Sequence, residues 1–273
     1  MAETTAGSPP MIFDLSAITT PDAIDLWAER IFAGPPAPEG VLHVMAVARR
    51  AQGDLAALAL GDGAPRCDED RFALALARAR ADALLTTGAI VRQEPGLHHG
   101  SRALTASLPA SLAAAFAAWR QRGGRRRPAT TVIMTRSRDL DLDHPLFADG
   151  GPVIVFTGAD APTRFGIDLA RRGAMLISDS HPSLARCLAR LAQAGLAAVT
   201  VEAGASVARG LYQPPYAVDE LLLSTLEPEA LEPGQTRGIL LREDQLNARL
   251  RPVAPAYETR TEAGLWRLRR WRR

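Results

Sequence analysis

Of the 273 residues, 47% are hydrophobic, the formal net charge is +2, and Cys67 and Cys187 are the only cysteines. A chain this long can bury most of its unfolded surface, no run of about 18 apolar residues offers a membrane span, and two distant cysteines outside any CxxC spacing argue against a disulfide framework or structural zinc and for a reducing compartment. All 32 basic residues are arginine, which excludes a Schiff-base lysine and a Walker A lysine, and with them PLP enzymes, class I aldolases and ordinary P-loop nucleotidases.

The opening stretch MAETTAGSPPMIF has neither the basic nor the apolar region of a secretory signal, so a cytoplasmic location is expected. Residues 1–40 are Pro-rich at both ends around PDAIDLWAERIF, which predicts an extension with one short helix and a linker outside a domain spanning 41–273. VLHVMAVA (41–48) reads as a buried strand. DEDRFALALARARADALL follows as a helix with Asp68 or Asp70 as its cap and Phe72, Leu74, Leu76 and Ala79 on one face. It runs into the strand DALLTTG. SLPASLAAAFAAWRQRGG predicts a helix with a serine at its start and a glycine pair at its end. TTVIM and PVIVFTG are strands, TRFGIDLARRG a helix ending at Gly173, AMLIS a strand, and HPSLARCLARLAQAG a helix ending at Gly195. AAVTVEAG is a strand, ASVARGLY opens a helix, and DELLLSTLEP is a strand. Short apolar strands alternating with helices of 10–15 residues imply βαβ units and a mostly parallel sheet. The C-terminal segment ARLRPVAPAYETRTEAGLWRLRRWRR reads as antiparallel strands.

The stretch VEAGAS (201–206) places an acid at a strand end, directly before a small-residue turn. In an open α/β sheet, ligands bind at the carboxyl ends of the strands. Gly204 at a helix start lets backbone N–H groups approach a phosphate; Ala203 and Ala205 keep the approach clear, and Ser206 adds a hydroxyl. Glu202 would repel that phosphate, so it is assigned to a second ligand. A plain strand–turn–helix with a solvated Glu202 is the competing reading.

VTVEAGASVARGLYQPPYAVDELLLSTLEP resembles the end of the reductase domain of the bacterial riboflavin-biosynthesis deaminase/reductase, a dihydrofolate-reductase-like fold. RARADALLTTGAIVRQEPGL and PATTVIMTRSRDL resemble two further blocks of that family in the same order, and the resemblance covers roughly residues 41–250. It implies a three-layer αβα domain with antiparallel C-terminal strands, an NADPH-dependent reductase acting on a small-molecule substrate of riboflavin biosynthesis, and a homodimer. Carried over by position, Glu202 and Glu94 are the implied catalytic acids. Arg78, Leu97 and Glu202 are the substrate contacts. Thr87, Gly88, Glu94, Thr135, Gly204, Ala205, Ser206 and Val207 are the cofactor contacts.

The chain departs from the family pattern in three places. AVARRAQGDLA replaces a Ser-x-Asp-Gly, Ile90 replaces a threonine, and Glu94 replaces an aspartate before Pro95. A reductase of a pterin or another substrate, or a non-catalytic nucleotide-binding module, therefore remains open beside the riboflavin reading. The H-x-E and P-C-x-x-C pattern that a zinc deaminase needs does not occur, so neither metal nor deaminase activity is expected. His98, His99, His144 and His181 read as loop residues, and RGGRRRP as a solvated helix end rather than a nucleic-acid contact. LWRLRRWRR reads as an edge strand guarded by charge, with a membrane-surface or acidic-partner contact as the alternative.

Overall fold

The computed structural model describes residues 13–59, 61, 63–96, 98, 108–136, 140–148, 150–160, 163–229, 232 and 234–273. Helix α1 (Pro21–Phe32) starts on the hydroxyl of Thr20, which accepts from Ala23 N at 3.2 Å, with proline at the first helical position. Strand β1 (Gly40–Arg49) turns into the antiparallel β2 (Asp54–Leu58). Helix α2 (Asp68–Arg80), β3 (Ala83–Thr87), α3 (Gly88–Gln93), α4 (Ala110–Arg122) and β4 (Thr130–Met134) follow. Next come β5 (Val153–Gly158), α5 (Thr163–Arg171), β6 (Ala174–Asp179), α6 (Leu184–Gln193), β7 (Ala198–Val201) and α7 (Ala205–Ala208), which tightens into a 3-10 turn over Arg209–Tyr212. The chain ends with β8 (Glu220–Pro228), β9 (Thr236–Arg242), α8 (Glu243–Asn247), β10 (Arg251–Pro252), β11 (Tyr257–Thr261) and β12 (Gly264–Arg272).

The sheet order is β10-β12-β8-β1-β7-β3-β4-β5-β6. From β8 to β6 every pairing is parallel, and β12 joins β8 antiparallel with β10 and β11 on its outer side. The expected αβα class with antiparallel C-terminal strands therefore holds. Side-chain alternation along β1 splits the core. Leu42 and Val44 face α1, α2 and α4 with Trp27, Phe72 and Phe116, whereas Val47 faces α6, α8 and the Arg209–Tyr212 turn with Leu188, Leu211 and Leu246. A third cluster, around Ile133, Val155 and Leu169, lies under α3 and α5.

β2 and β9 pair antiparallel as an arm off β1, which binds β7 through residues 40–43 and β2 through 47–49. The arm thus stands beyond the end of the short β7 and overhangs α7, where Gly238 lies against Ala205.

Four sequence expectations need correction. The part of the 1–40 extension that is described does not stand outside the domain, because Leu15, Ile18, Ile24, Trp27, Ile31 and Phe32 all sit in the core cluster with α2, α4 and β12. Helix α2 is capped at Cys67 rather than by Asp68 or Asp70; Asp70 instead turns inward to Ser224. Helix α4 starts after Pro109 and has no serine cap. Strand β12 is internal, since β8 flanks one side and β10 and β11 the other. In the basic loop, Arg122 and Arg125 are engaged: Arg122 pairs with Asp22 at 2.7 Å and with Asp25, and Arg125 reaches Asp82 at 3.2 Å.

Candidate functional site

The carboxyl ends of β3, β4 and β7 open into a cleft of about 750 Å³ roofed by β9. Of the implied cofactor residues, Thr87, Thr135, Gly204, Ala205, Ser206 and Val207 line it. Gly204 is the residue before α7, with φ −59 and no atom within 4 Å of where a Cβ would stand. Its small size leaves the cleft open there; the backbone makes no special demand. Gly88 is the opposite case. A Cβ on it would lie 2.7 Å from Thr135 Oγ1 and 2.9 Å from Thr135 Cβ, so the β3–α3 corner packs onto the end of β4 only because no side chain intervenes. Thr87 starts α3, its hydroxyl accepting from Ile90 N at 3.3 Å.

Sequence reasoning missed the cleft's cationic walls. Arg92, Arg136, Arg209 and Arg237 line it beside Ile90. In a chain whose 32 cations are all arginine, no single one stands out by type. Arg237 reaches the cleft only because β9, itself unforeseen, folds over it.

Beside the cleft, Glu202 directly follows β7, and its backbone N–H donates to Leu85 O at 2.8 Å. Alternation aims it at α2: two residues earlier Thr200 Oγ1 donates to Ala77 O at 2.7 Å, and Ala203 and Ala205 enter the opposite core layer. Arg78 from α2 meets it fork to fork, Nε donating to Oε1 at 2.8 Å and Nη2 to Oε2 at 2.7 Å, with side chains 8% and 15% exposed. Both were expected to contact substrate separately, and the structure joins them as a pair across 124 positions. Such two-pronged pairs hold their geometry tightly.

Glu94, the residue closing α3, senses both partners. Burial raises its carboxyl to about 7, the Glu202 charge pushes the same way, and the Arg78 charge opposes them. His144, expected as a loop residue, is 2% exposed. Its Nε2 donates to Glu94 O at 2.9 Å while its Nδ1 accepts from Leu146 N at 3.2 Å, which fixes the tautomer and pins the Glu94 backbone. Leu97 and His99 lie outside the described residues. Among the described residues, no cluster of His, Cys, Asp or Glu could hold a metal ion, and no helix is long and apolar enough to cross a membrane.

A mostly parallel sheet with helices on both faces carries an arginine-walled cleft at the carboxyl ends of its strands, the place where open α/β sheets bind ligands. The chain matches the RibD C-terminal domain family over residues 53–226 and belongs to that family. Among solved structures, it is similar to a pyrimidine reductase-like protein of Corynebacterium diphtheriae, with TM-score 0.62 and 19% identity over 90% of this chain and 98% of that one. It also resembles RibD of Acinetobacter baumannii, with TM-score 0.56 and 16% identity over 87% of this chain and 59% of that one. A third similar structure is the diaminohydroxyphosphoribosylaminopyrimidine deaminase/5-amino-6-(5-phosphoribosylamino)uracil reductase of Thermotoga maritima, with TM-score 0.56 and 18% identity over 86% of this chain and 56% of that one. The chain thus spans little more than half of the latter two proteins, and at these identities the likeness is one of fold. No curated protein matches the chain.

Proposed function

We propose that this protein is an NADPH-dependent reductase of a phosphoribosylamino-pyrimidine in riboflavin biosynthesis. The observation carrying this reading is the juxtaposition of an arginine-walled cleft with the Arg78–Glu202–Glu94 cluster at the same sheet end. The cleft fits a dinucleotide by three tests: a volume of about 750 Å³, no side chain at Gly204, and cationic walls for phosphates. Gly204 to Val207, Thr87 and Thr135 would hold the cofactor, with Arg136, Arg209 and Arg237 balancing its charge. When bound, it supplies a hydride.

The protein's own residues do the rest. Arg78 holds the Glu202 carboxylate in one orientation, so that the carboxylate can orient donors of the pyrimidine. Glu94 carries a carboxyl that exchanges a proton in the neutral range, a poise suited to a proton relay. One observation favours a second reading, nucleotide binding without turnover. Arg78 and Glu202 already satisfy each other on two of the guanidinium nitrogens and both carboxylate oxygens.

Titration with NADPH should raise the melting temperature, since a ligand at about 100 times its dissociation constant adds roughly 2.7 kcal/mol. NADPH oxidation upon adding 5-amino-6-(5-phosphoribosylamino)uracil should follow. Rescue of a strain lacking its riboflavin reductase decides between turnover and binding alone. No thermal shift at millimolar NADPH would overturn both readings.

The Gly204→Val variant tests the cleft directly. The wild-type φ and the empty space predict an unchanged melting temperature for the free protein together with a large loss of NADPH affinity. Equal affinity for NADPH in the variant would move the cofactor away from this turn.

A further inference from the structure

On the opposite side of β1 from the Arg78–Glu202 pair, a second cavity of about 210 Å³ lies between β8, β12 and α8. Its floor is apolar, with Leu55, Leu223 and Leu246, and its walls carry two buried donors without an acceptor. One is the indole N–H of Trp271, a residue only 4% exposed. The other is Nε of Arg269, whose guanidinium stacks over the Trp271 ring at 5.5 Å. Buried donors are normally matched, and each one left open is unfavourable by about 1–3 kcal/mol. The other charged groups of the wall are committed. Arg49 pairs with Glu227 at 3.0 Å and with Glu243 at 2.7 Å, and Arg267 pairs with Glu227 and, at 2.8 Å, with Glu258. Among the described residues, Arg269 is thus the cation of the cavity wall without an ion-pair partner.

We propose that this cavity is a second binding site, distinct from the dinucleotide cleft, for a small monocarboxylate with a short aliphatic body. One carboxylate oxygen would accept from Trp271 Nε1 and the other from the Arg269 guanidinium, with the alkyl group on the leucine floor. A singly charged anion matches one open guanidinium flanked by two glutamates, whereas a dianionic phosphate would meet the repulsion of Glu227 and Glu243.

The test uses the full chain, uniformly 15N-labelled, titrated with sodium butyrate while the indole N–H resonances are followed. The Trp271→Phe variant assigns the Trp271 signal. The indole N–H groups of Trp119 and Trp266 already donate to Asp25 and Thr261 and serve as internal controls. The expected result is a saturable shift of the Trp271 signal alone, in the millimolar range, unaffected by saturating NADPH. The Arg269→Gln variant, checked for a dispersed spectrum, should bind roughly tenfold more weakly, the worth of one charge-assisted hydrogen bond. A linear, non-saturating response, an equal response in Arg269→Gln, or loss of binding with NADPH present would each overturn the proposal. Saturation by inorganic phosphate with no response to butyrate would overturn the assigned chemistry.

Discussion

Burial, together with the neighbouring charges of Arg78 and Glu202, sets the proton of Glu94. Its folded value, about 7, stands above the ordinary 4.5 because burial outweighs Arg78. An acid raised in the folded state binds its proton more tightly there, so the stabilisation is complete below about 4.5 and fades as pH rises through about 7. The site is half-buried, and solvent screening reduces the effect to the order of 1 kcal/mol. The Glu94→Gln variant should therefore match the wild type near about pH 5 and exceed it by about 1 kcal/mol near about pH 8 in denaturant midpoints. If the two midpoints keep a constant offset across that range, Glu94 does not titrate where its surroundings place it. The same protonation makes any reductase activity fall or rise around neutrality in the wild type, a feature the glutamine variant should lack.

At the scale of elements, the β3–α3 corner and the end of β4 are set against each other through a residue that has no side chain. Gly88→Ala places a methyl 2.7 Å from Thr135 Oγ1 and 2.9 Å from Thr135 Cβ, atoms of a short, buried side chain whose Cβ is fixed to the backbone. The expected cost is about 1–3 kcal/mol, as for overpacking elsewhere, with a matching drop in nucleotide affinity because Thr87 and Thr135 both face the cleft. A melting temperature equal to that of the wild type would show that the corner relaxes freely. Such corners explain what the sequence could and could not tell. Parallel strands buried on both faces, such as TTVIM and VIVFTG, stand out as apolar runs, and α6 is fixed by Ser183 at its start and Gly195 at its end. Helix α3, six residues long, is too short for a period, and β2 and β9 hold their places only through each other and β1. The family resemblance pointed to Glu202, Arg78 and the 204–207 turn as candidates, yet the union of Arg78 with Glu202 depends on α2 crossing the end of β7. Nothing local in RARADALL encodes that crossing. The same holds for β12, whose alternation of Trp, Leu and Arg reads as a strand but says nothing of what pairs on each side.

At the scale of the whole fold, helix α1 and the C-terminal strand β12 close one core between them. Helix α1 lies in one core with α2, α4 and β12, burying Trp27, Ile31 and Phe32 against Phe72, Phe116 and Trp266. The chain leaves α1 through Ala33, Gly34 and Pro35, and a residue from the C-terminal strand takes up their carbonyls. Arg270 donates to Ala33 O at 2.9 Å, to Gly34 O at 3.0 Å and to Pro35 O, and its positive charge suits the negative end of the helix. From the other flank, Trp119 Nε1 donates to Asp25 Oδ1 at 2.7 Å and Arg122 pairs with Asp22. A chain beginning at residue 41 would expose the apolar face of α2, α4 and β12, and it would leave Arg270, 5% exposed in the intact fold, without its acceptors. Losing the cover of even one large buried aromatic such as Trp27 is worth about 3–5 kcal/mol, a large share of the roughly 5–15 kcal/mol that holds a domain folded. The truncated protein should therefore show no cooperative thermal transition and should bind a hydrophobic dye. In the full chain, Arg270→Met should lower stability by about 2–4 kcal/mol, since three carbonyls lose their donor while the stem's packing is kept. A truncated chain that melts cooperatively within a few degrees of the full one would reverse this conclusion and make residues 13–40 an accessory to a domain complete without them.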